Sequence, residues 1–307
     1  ARLRDAGRVV ERLTIAPLSE PWDAPPDPER RRFKSGCAPI QALARARERL
    51  ASGEVDAVEI RGRDWLRTGY SPAARKAHME IWPGQSVPEA YTALAETWMA
   101  RHGMDSTTFR RLADALLDNY QRTAEAAGQT VDLTGARQQR ATSLFTYADC
   151  ANPYVDFEGA ALWVRPGLPE APGRLGLLGV AVAQQLDGPE HGAAIATYAH
   201  LRRAWEQATR DVDEDLGARW RAGEVLLEVY TCFPVVPLAF LLTTGLAKDP
   251  EALAGLLAAH PVTVTGGMNL ARAAWNNPVL NALVVMGYLE PIQGRGRPWI
   301  RYELIWW

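Results

Sequence analysis

The sequence predicts an α/β fold with a largely parallel sheet and helices on both of its faces. Helical segments alternate with short apolar segments that are bounded by Gly or Pro, a pattern typical of strands joined by crossover helices. Two of the apolar segments, 225–230 and 262–265, end in polar or glycine residues. Ligands bind at the carboxyl ends of strands in open α/β sheets, so the sequence predicts one site where these two segments end.

Elements of the first half follow from helical spacing of apolar residues and from residues that begin or end helices. Pro39 precedes one helix and Gly53 ends it, while Pro88 and Asp105 occupy positions at which helices begin. The predicted helices are 40–51, 88–101 and 105–127, and the predicted strands are 55–60 and 160–164. Residues 64–86 show no clear period and are predicted to cross the surface.

The second half continues the alternation of helix and strand. The predicted strands are 175–182, 225–230, 262–265 and 299–305. The predicted helices are 193–210, 237–246 and 278–289, with a loop between 246 and 262. The last segment is rich in Trp and Tyr, which suits either a buried final strand or an interface anchor. Both roles fit a dimer.

Composition favours a packed globular chain and argues against several classes of function. The chain has 307 residues, 47% of them hydrophobic, and a formal net charge of −2 without a basic block, so we expect no nucleic-acid partner. Cys37, Cys150 and Cys232 lie far apart without metal-binding spacing, which indicates a reducing cytoplasm and no metal site. The apolar runs fall short of the roughly 20 residues that cross a bilayer, so we expect no membrane span, and we expect no secretory signal.

An ordered set of motifs resembles the thiolase superfamily, in particular the degenerate thiolase-like proteins of the sterol-carrier-type and actinobacterial branch. Cys37-Ala38-Pro39 and the segment 52–58 resemble the nucleophile helix and its exit. Segment 145–161 looks like the end of the first half of such thiolases. Segments 229–233 and 265–268 are similar to their His-Asp-Cys-Phe element and Ser-Gly-Gly-Leu turn, and 275–277 is similar to the actinobacterial Trp-Asn-Asn sequence.

The resemblance implies a fold, a ligand and partners. The fold is the thiolase-like five-layer αβαβα sandwich, here truncated at both ends. Its N-terminal half would cover 1–165 with a helical excursion at 64–140, and its C-terminal half 166–307. The resemblance also implies acyl-CoA as substrate without a further cofactor, a homodimer, and a small partner protein with an OB-fold and a zinc ribbon, as in thiolase-like steroid side-chain aldolases.

Departures from the thiolase pattern limit the chemistry that the resemblance implies. Ala273 stands in place of the activating histidine, Tyr230 stands at the His of His-Asp-Cys-Phe, and no Cys-x-Gly loop precedes Trp307. Cys37 matches the nucleophile once a one-residue gap is allowed. A helix start favours a thiolate, but activation is incomplete without a histidine base, and a small buried residue is the alternative role for Cys37.

Tyr230 is the preferred catalytic residue. A phenol at this position can donate a hydrogen bond or act as acid and base in carbon–carbon cleavage, and by position it resembles one of the tyrosines on which those aldolases rely. Its alternative role is packing at a strand end with the hydroxyl in water. Cys232 is a further catalytic candidate, and its alternative role is core packing.

Substrate binding is predicted at two pairs of residues. Backbone N–H groups near Gly266 and Gly267 are candidate oxyanion donors. Asn276 and Asn277 can hold a substrate carbonyl or cap the next helix. Two functions stay open: an acyl-CoA-handling enzyme of aldol or Claisen type, and a catalytically inactive subunit that binds acyl-CoA or serves assembly.

Overall fold

The computed structural model describes residues 7–21, 27–35, 37–79, 84, 86–126, 128, 132–151, 156–168, 179–183, 194–264 and 266–267. The strands are β1 (Val10–Ile15), β2 (Arg32–Phe33), β3 (Ala57–Trp65) and β4 (Asp156–Val164). The helices are α1 (Ala38–Ala51), α2 (Pro72–Met79), α3 (Val87–Arg101), α4 (Ser106–Ala126), α5 (Thr134–Gln138), α6 (Ala199–Ala208), α7 (Leu216–Arg221), α8 (Val235–Thr243) and α9 (Pro250–Ala259), with a 3-10 turn at Tyr147–Asp149. Across these ranges, every helix is too short or too polar to span a bilayer.

The four strands form one mixed sheet in the order β2-β1-β3-β4. Strand β1 pairs in parallel with β2 and β3, whereas β3 pairs antiparallel with β4 from Ala57↔Val164 to Trp65↔Asp156. The prediction of a largely parallel sheet is therefore wrong for the β3–β4 pair. The chain between β3 and β4 contains several helices instead of one crossover helix. It enters β4 beside the end of β3 and runs back along β3, which makes the pair antiparallel.

Helix α1 covers one face of this sheet and forms a small core with it. Its small residues Ala38, Ala42 and Ala46 recur every fourth position and therefore share one helix face, which packs on inward residues of β1 and β3 such as Leu13 and Ile60. The core also contains Ile15, Leu43, Val55, Val58 and Ala161. Close packing of small side chains lets the helix approach the sheet closely.

The opposite face of the sheet is charged. Glu59 of β3 forms ion pairs with Arg12 at 2.9 Å and with Arg61 at 3.0 Å. Residues at alternate positions of a strand point to opposite faces, so this face differs from the one that α1 covers. The described residues thus contain one sheet with a helix layer on one face, in place of the predicted helices on both faces.

A larger helical core joins segments from both sides of β4. It combines apolar residues of α3, α4, α6, α8 and α9 with the 3-10 turn. Two predicted helix starts are confirmed: Ser86 and Glu89 form a reciprocal cap at the start of α3, and Asp105 Oδ1 accepts the Thr108 N–H at 2.7 Å at the start of α4. Helices predicted in the 64–140 excursion therefore share a core with helices after residue 194.

Four helices, α2, α5, α7 and α9, arise where none was predicted, and one begins later than predicted. Helix α2 lies within the 64–86 segment, and α9 lies in the predicted 246–262 loop, where Asp249 Oδ1 accepts the Ala252 N–H at 2.9 Å. Tyr198 adopts a left-handed conformation with φ +53° immediately before α6. A left-handed residue breaks the helical path, so α6 starts at Ala199.

The predicted strands 225–230 and 262–265 are wrong over their described residues, which form no strand. One backbone hydrogen bond joins them, from the Val229 N–H to the Val262 carbonyl at 3.1 Å. Side-chain oxygens, instead of the carbonyls of a neighbouring strand, accept two backbone N–H groups of the second segment. Asn119 Oδ1 accepts the Val262 N–H, and a Glu228 carboxylate oxygen accepts the Val264 N–H. Of the other predicted elements, 278–289, 299–305 and residues 175–178 of the strand 175–182 lie outside the described residues, and residues 179–182 form no strand.

Candidate functional site

The three predicted catalytic residues lie close together, with Tyr230 between the cluster of Cys37 and the core that contains Cys232. Tyr230 is half-buried and packs against a small cluster formed by Cys37 and Ile40, together with Val180 and Val182. Tyr230 also packs against the larger helical core. The phenol therefore lies at the junction between the start of α1 and the helices of the second half.

Cys37 is the residue immediately before α1, and its thiol is almost fully buried. Ser35 Oγ accepts the Cys37 N–H at 3.2 Å, lies 3.5 Å from the Cys37 sulfur and donates to Gln41 Oε1 at 2.8 Å. The serine therefore fixes the loop that leads into the helix. The contacts of the thiol are this hydroxyl and apolar side chains, an environment that suits packing more than nucleophilic attack.

Cys232 lies two residues after Tyr230 and is buried in the helical core. Burial raises the pKa of its thiol to about 12, although the nearby hydroxyls of Tyr91 and Tyr230 act in the opposite direction. Burial and the neighbouring Asp149 likewise raise the pKa of Cys150 to about 12. Because the thiolate is the nucleophile, both thiols are unreactive near neutral pH.

Three further tyrosines lie near Cys232, and no local sequence pattern predicts this proximity. Burial raises the pKa of Tyr91, Tyr120 and Tyr198 well above 10, and the nearby Cys232 raises each of them further. All three are neutral phenols at physiological pH. Tyr91 and Tyr120 lie on predicted helices, where an aromatic residue at helical spacing usually indicates core packing.

The predicted glycine turn lies beside Thr231, the residue between Tyr230 and Cys232. Gly266 and Gly267 have φ of +87° and +79°, in the region that glycine favours. A Cβ on Gly267 would lie 2.8 Å from Thr231 Oγ1, and one on Gly266 would lie 2.9 Å from Ala124 Cβ. Both the backbone conformation and the close approach therefore call for glycine, and the turn comes within one residue of Tyr230.

A small void lies beside Thr231. Tyr120, Asp149 and Thr231 contribute to its wall, and it is too narrow to admit a water molecule. Asn276 and Asn277 lie outside the described residues. Within the described ranges, no three His, Cys, Asp or Glu side chains group to hold a metal ion.

Comparison with known proteins identifies the fold. No protein-family model and no curated protein matches this chain. An aldolase described as Ltp2-ChsH2(DUF35) matches with a TM-score of 0.61 at 14% identity, over 95% of this chain and 82% of that chain. A monomeric SCP2-thiolase like protein type 1 from Mycobacterium smegmatis matches with a TM-score of 0.61 at 20% identity, over 91% of this chain and 62% of that chain.

A thiolase, Acat5 from Ascaris suum in complex with coenzyme A, also matches, with a TM-score of 0.54 at 15% identity over 92% of this chain and 82% of that chain. The predicted resemblance to thiolase-like proteins is thus confirmed at the level of fold. At these identities the similarity concerns the fold alone. The chain spans less than two thirds of the Mycobacterium smegmatis protein.

Proposed function

We propose that this chain is an acyl-CoA-handling enzyme that makes or breaks a carbon–carbon bond by aldol- or Claisen-type chemistry. In this proposal the chain adopts the five-layer sandwich of thiolases, and Tyr230 is its acid and base. The observation that carries the proposal is the position of Tyr230, half-buried between the Cys37 cluster and the Cys232 thiol. The aldolase and thiolases of similar fold support the reaction class.

The protic group at this site is a phenol rather than a thiolate. The neighbouring Cys232 is held neutral by burial, and Cys37 is enclosed by Ser35 and apolar side chains. A half-buried phenol can donate a proton without first ionising. The site therefore suits reactions in which an oxygen gains or loses a proton, and it suits thiol transfer less.

In bond formation, the tyrosinate form of Tyr230 first takes the α-proton of an acyl thioester, and the enolate carbon then attacks a carbonyl carbon with its electron pair. The carbonyl oxygen becomes an alkoxide and takes the proton of the Tyr230 hydroxyl. Cleavage is the reverse, in which the tyrosinate oxygen accepts the proton of the β-hydroxyl. Backbone N–H groups near Gly266 and Gly267 are the proposed donors to the thioester oxygen, because the turn lies one residue from Tyr230.

Two of the similar structures support the proposed partners. The Acat5 structure contains coenzyme A, and the aldolase is described as a complex of Ltp2 with ChsH2(DUF35). These two descriptions support an acyl-CoA thioester as the proposed substrate and a second protein as a proposed partner. From the sequence resemblance we propose that this partner is a small OB-fold and zinc-ribbon protein and that the chain forms a homodimer. Asn276 and Asn277 are proposed substrate-binding residues. The three free thiols fit a reducing, cytoplasmic setting.

The experiment that tests the proposal uses β-hydroxyacyl-CoA esters of different chain length. Cleavage is followed by release of the shorter acyl-CoA for wild type, Tyr230→Phe and Tyr147→Phe, the last being a tyrosine that is 57% exposed at the surface. We expect Tyr230→Phe to lose at least about 100-fold in kcat and Tyr147→Phe to match wild type. Equal rates for wild type and Tyr230→Phe would remove the tyrosine mechanism.

A second candidate function is that of a catalytically inactive subunit that binds acyl-CoA or serves assembly. It is favoured by Ala273 in the place of the thiolase histidine and by the neutral Cys232 thiol. Thermal unfolding with and without CoA esters, together with an assay of turnover, separates the two functions. A raised Tm without any turnover supports the inactive subunit, and turnover by the purified chain counts against it.

A further inference from the structure

Glu228 joins the segment that carries Tyr230 to the segment that leads into the glycine turn. Its Oε2 accepts the Val264 N–H at 2.5 Å, and Val264 lies two residues before Gly266. Glu228 is half-buried and Val264 is buried. A charged acceptor forms a shorter and stronger hydrogen bond than a neutral one, so this contact between the two segments is a strong one.

The backbone supplies little else to join these segments. Among the described residues, one main-chain hydrogen bond connects them, from the Val229 N–H to the Val262 carbonyl, and neither segment forms a strand. A ladder of backbone bonds holds its shape with almost any side chains, whereas a carboxylate acceptor makes the contact depend on one residue. Asn119 binds the start of the second segment, and Glu228 binds the part nearest the glycine turn.

The glycine turn fits closely between α4 and the residue after Tyr230. A Cβ on Gly266 would lie 2.9 Å from Ala124 Cβ, and one on Gly267 would lie 2.8 Å from Thr231 Oγ1. Both glycines are buried, and close packing on two sides limits where the turn can lie. The hydrogen bond from Glu228 fixes the backbone that enters the turn.

We propose that Glu228 is a positioning residue that holds the N–H groups of the glycine turn toward the thioester oxygen of an acyl-CoA substrate. Loss of the carboxylate removes the acceptor of the Val264 N–H, and the turn then leaves its place beside Thr231. The thioester oxygen loses its donors, while Tyr230 keeps its packing against the Cys37 cluster. This inference rests on the proposed function, in which these N–H groups are the oxyanion donors.

Three variants separate positioning from stability. Glu228→Met keeps the length of the side chain and removes its oxygens, whereas Glu228→Gln keeps one oxygen that can accept the Val264 N–H. Glu89→Met is the matched control, because Glu89 Oε2 also accepts a main-chain N–H, that of Ser86 at 2.8 Å, at the start of α3. If Glu228 were only structural, both Met variants would have a lower Tm and unchanged catalysis.

Amide hydrogen exchange, followed by NMR of protein with isotope-labelled valine, tests the hydrogen bond itself. We expect the Val264 amide to exchange at least about tenfold faster in Glu228→Met than in wild type, since it loses its acceptor. Glu228→Gln and Glu89→Met should exchange at the wild-type rate at this amide. An unchanged rate in Glu228→Met overturns the inference, whatever the activity of the protein.

Binding of hexanoyl-CoA and of its thioether analogue S-hexyl-CoA, measured by calorimetry, tests the positioning. The thioether lacks the carbonyl oxygen, and neither compound has a β-hydroxyl to cleave. We expect wild type, Glu228→Gln and Glu89→Met to bind the thioester about tenfold more tightly than the thioether, and Glu228→Met to bind both alike. A wild-type preference for the thioester in Glu228→Met, or no preference in wild type, overturns the positioning role.

Turnover of β-hydroxyacyl-CoA esters supplies the last readout. We expect Glu228→Met to lose at least about tenfold in kcat, because the oxyanion donors are displaced, while Glu228→Gln and Glu89→Met stay within about twofold of wild type. Equal rates for wild type and Tyr230→Phe would refute the tyrosine mechanism alone, since the preference for the thioester does not depend on that hydroxyl. Failure of wild type to bind either compound would refute the proposed substrate.

Discussion

Asn119 of α4 accepts the main-chain N–H of Val262 through Oδ1 at 3.1 Å. Its Nδ2 donates to the carbonyl oxygens of Leu257 at 2.6 Å and His260 at 2.7 Å. The Asn119 amide thus donates to two carbonyls at the end of α9 that have no hydrogen-bond partner within the helix. It also binds the segment that leads to Gly266. The glycine turn beside Tyr230 therefore takes its position from α4.

Asn119→Ala should lower the free energy of unfolding by about 2 to 4 kcal/mol, because it leaves the His260 carbonyl and the Val262 N–H buried without partners. Leu257 is less affected, since Arg122 Nη2 also donates to its carbonyl at 2.8 Å. Urea unfolding measures the loss. Gln121→Ala, on the outer side of the same helix, is the control and should stay within about 0.5 kcal/mol of wild type.

Asp149→Ala should cost about 3 to 5 kcal/mol, the usual loss when one member of a buried ion pair is removed. Asp149 is fully buried, contacts Arg110 at 2.5 and 2.8 Å, and accepts the N–H and hydroxyl of Thr146 at 2.7 Å each. Asp118→Ala removes a surface partner of Arg137 and should cost about 0 to 1 kcal/mol. Similar losses for the two aspartates would contradict this assignment.

His200 should make stability depend on pH below neutrality. Burial, and then the nearby Arg203, lower its pKa to about 4 from an ordinary value of 6.5. The unfolded chain therefore binds this proton near pH 6.5 and the folded chain near pH 4, so stability is present above pH 6.5 and is lost as pH falls toward 4. The loss amounts to up to about 3 kcal/mol.

His200→Gln should remove this part of the pH dependence. Carboxylate titration remains in both proteins, so the difference between their urea-unfolding curves at pH 7 and pH 4.5 isolates the histidine. Parallel pH profiles for the two proteins would show that the folded chain binds the His200 proton as readily as the unfolded chain.

Gly267→Ala should be more destabilising than Gly245→Ala. Both glycines have positive φ, at +79° and +76°, so each substitution carries about 1 to 2 kcal/mol of backbone strain. A Cβ at position 245 meets open space, whereas one at 267 lies 2.8 Å from Thr231 Oγ1, which adds about 1 to 3 kcal/mol of overpacking. Thermal unfolding of the two variants gives the difference, and equal Tm values would show that the turn can move away from Thr231.

Cys150 and Cys232 should resist alkylation in the folded protein. With pKa values of about 12, against about 8.5 for a free thiol, their thiolate fraction at pH 8 is roughly a thousandfold lower. Mass spectrometry after brief iodoacetamide treatment measures labelling at each cysteine, with urea-unfolded protein as the control in which all three react. Rapid labelling of native Cys232 would restore it as a candidate nucleophile.

The sequence predicted the elements whose signals are local. Pro88 and Asp105 lie at helix starts that the structure confirms, and Gly53, with φ +75°, follows the end of α1. A local signal also existed for α9, which was predicted as loop: Asp249 precedes Pro250, and Leu253 and Leu257 are four residues apart on one helix face.

Other features depend on partners that are remote in sequence. Residues 225–230 have the composition of a strand, but the group that binds the neighbouring segment is the Asn119 side chain of α4, which no local pattern of 225–230 or 262–264 reveals. The same holds for Tyr91, whose spacing indicates a core helix, while its ring stacks on Phe233 through the tertiary fold. Sequence motifs predicted Tyr230 and the glycine turn as site residues, whereas only the three-dimensional structure identifies the neighbouring tyrosines.

The larger core is shared between helices made early and helices made late during synthesis. The apolar faces of α3 and α4 pack with α8 and α9, so they stay uncovered until the chain has been extended through residue 262. At ordinary rates of translation this delay is on the order of ten seconds. Newly made chains are therefore exposed to aggregation during this interval, and a chaperone that holds nascent polypeptides should raise the yield of folded protein.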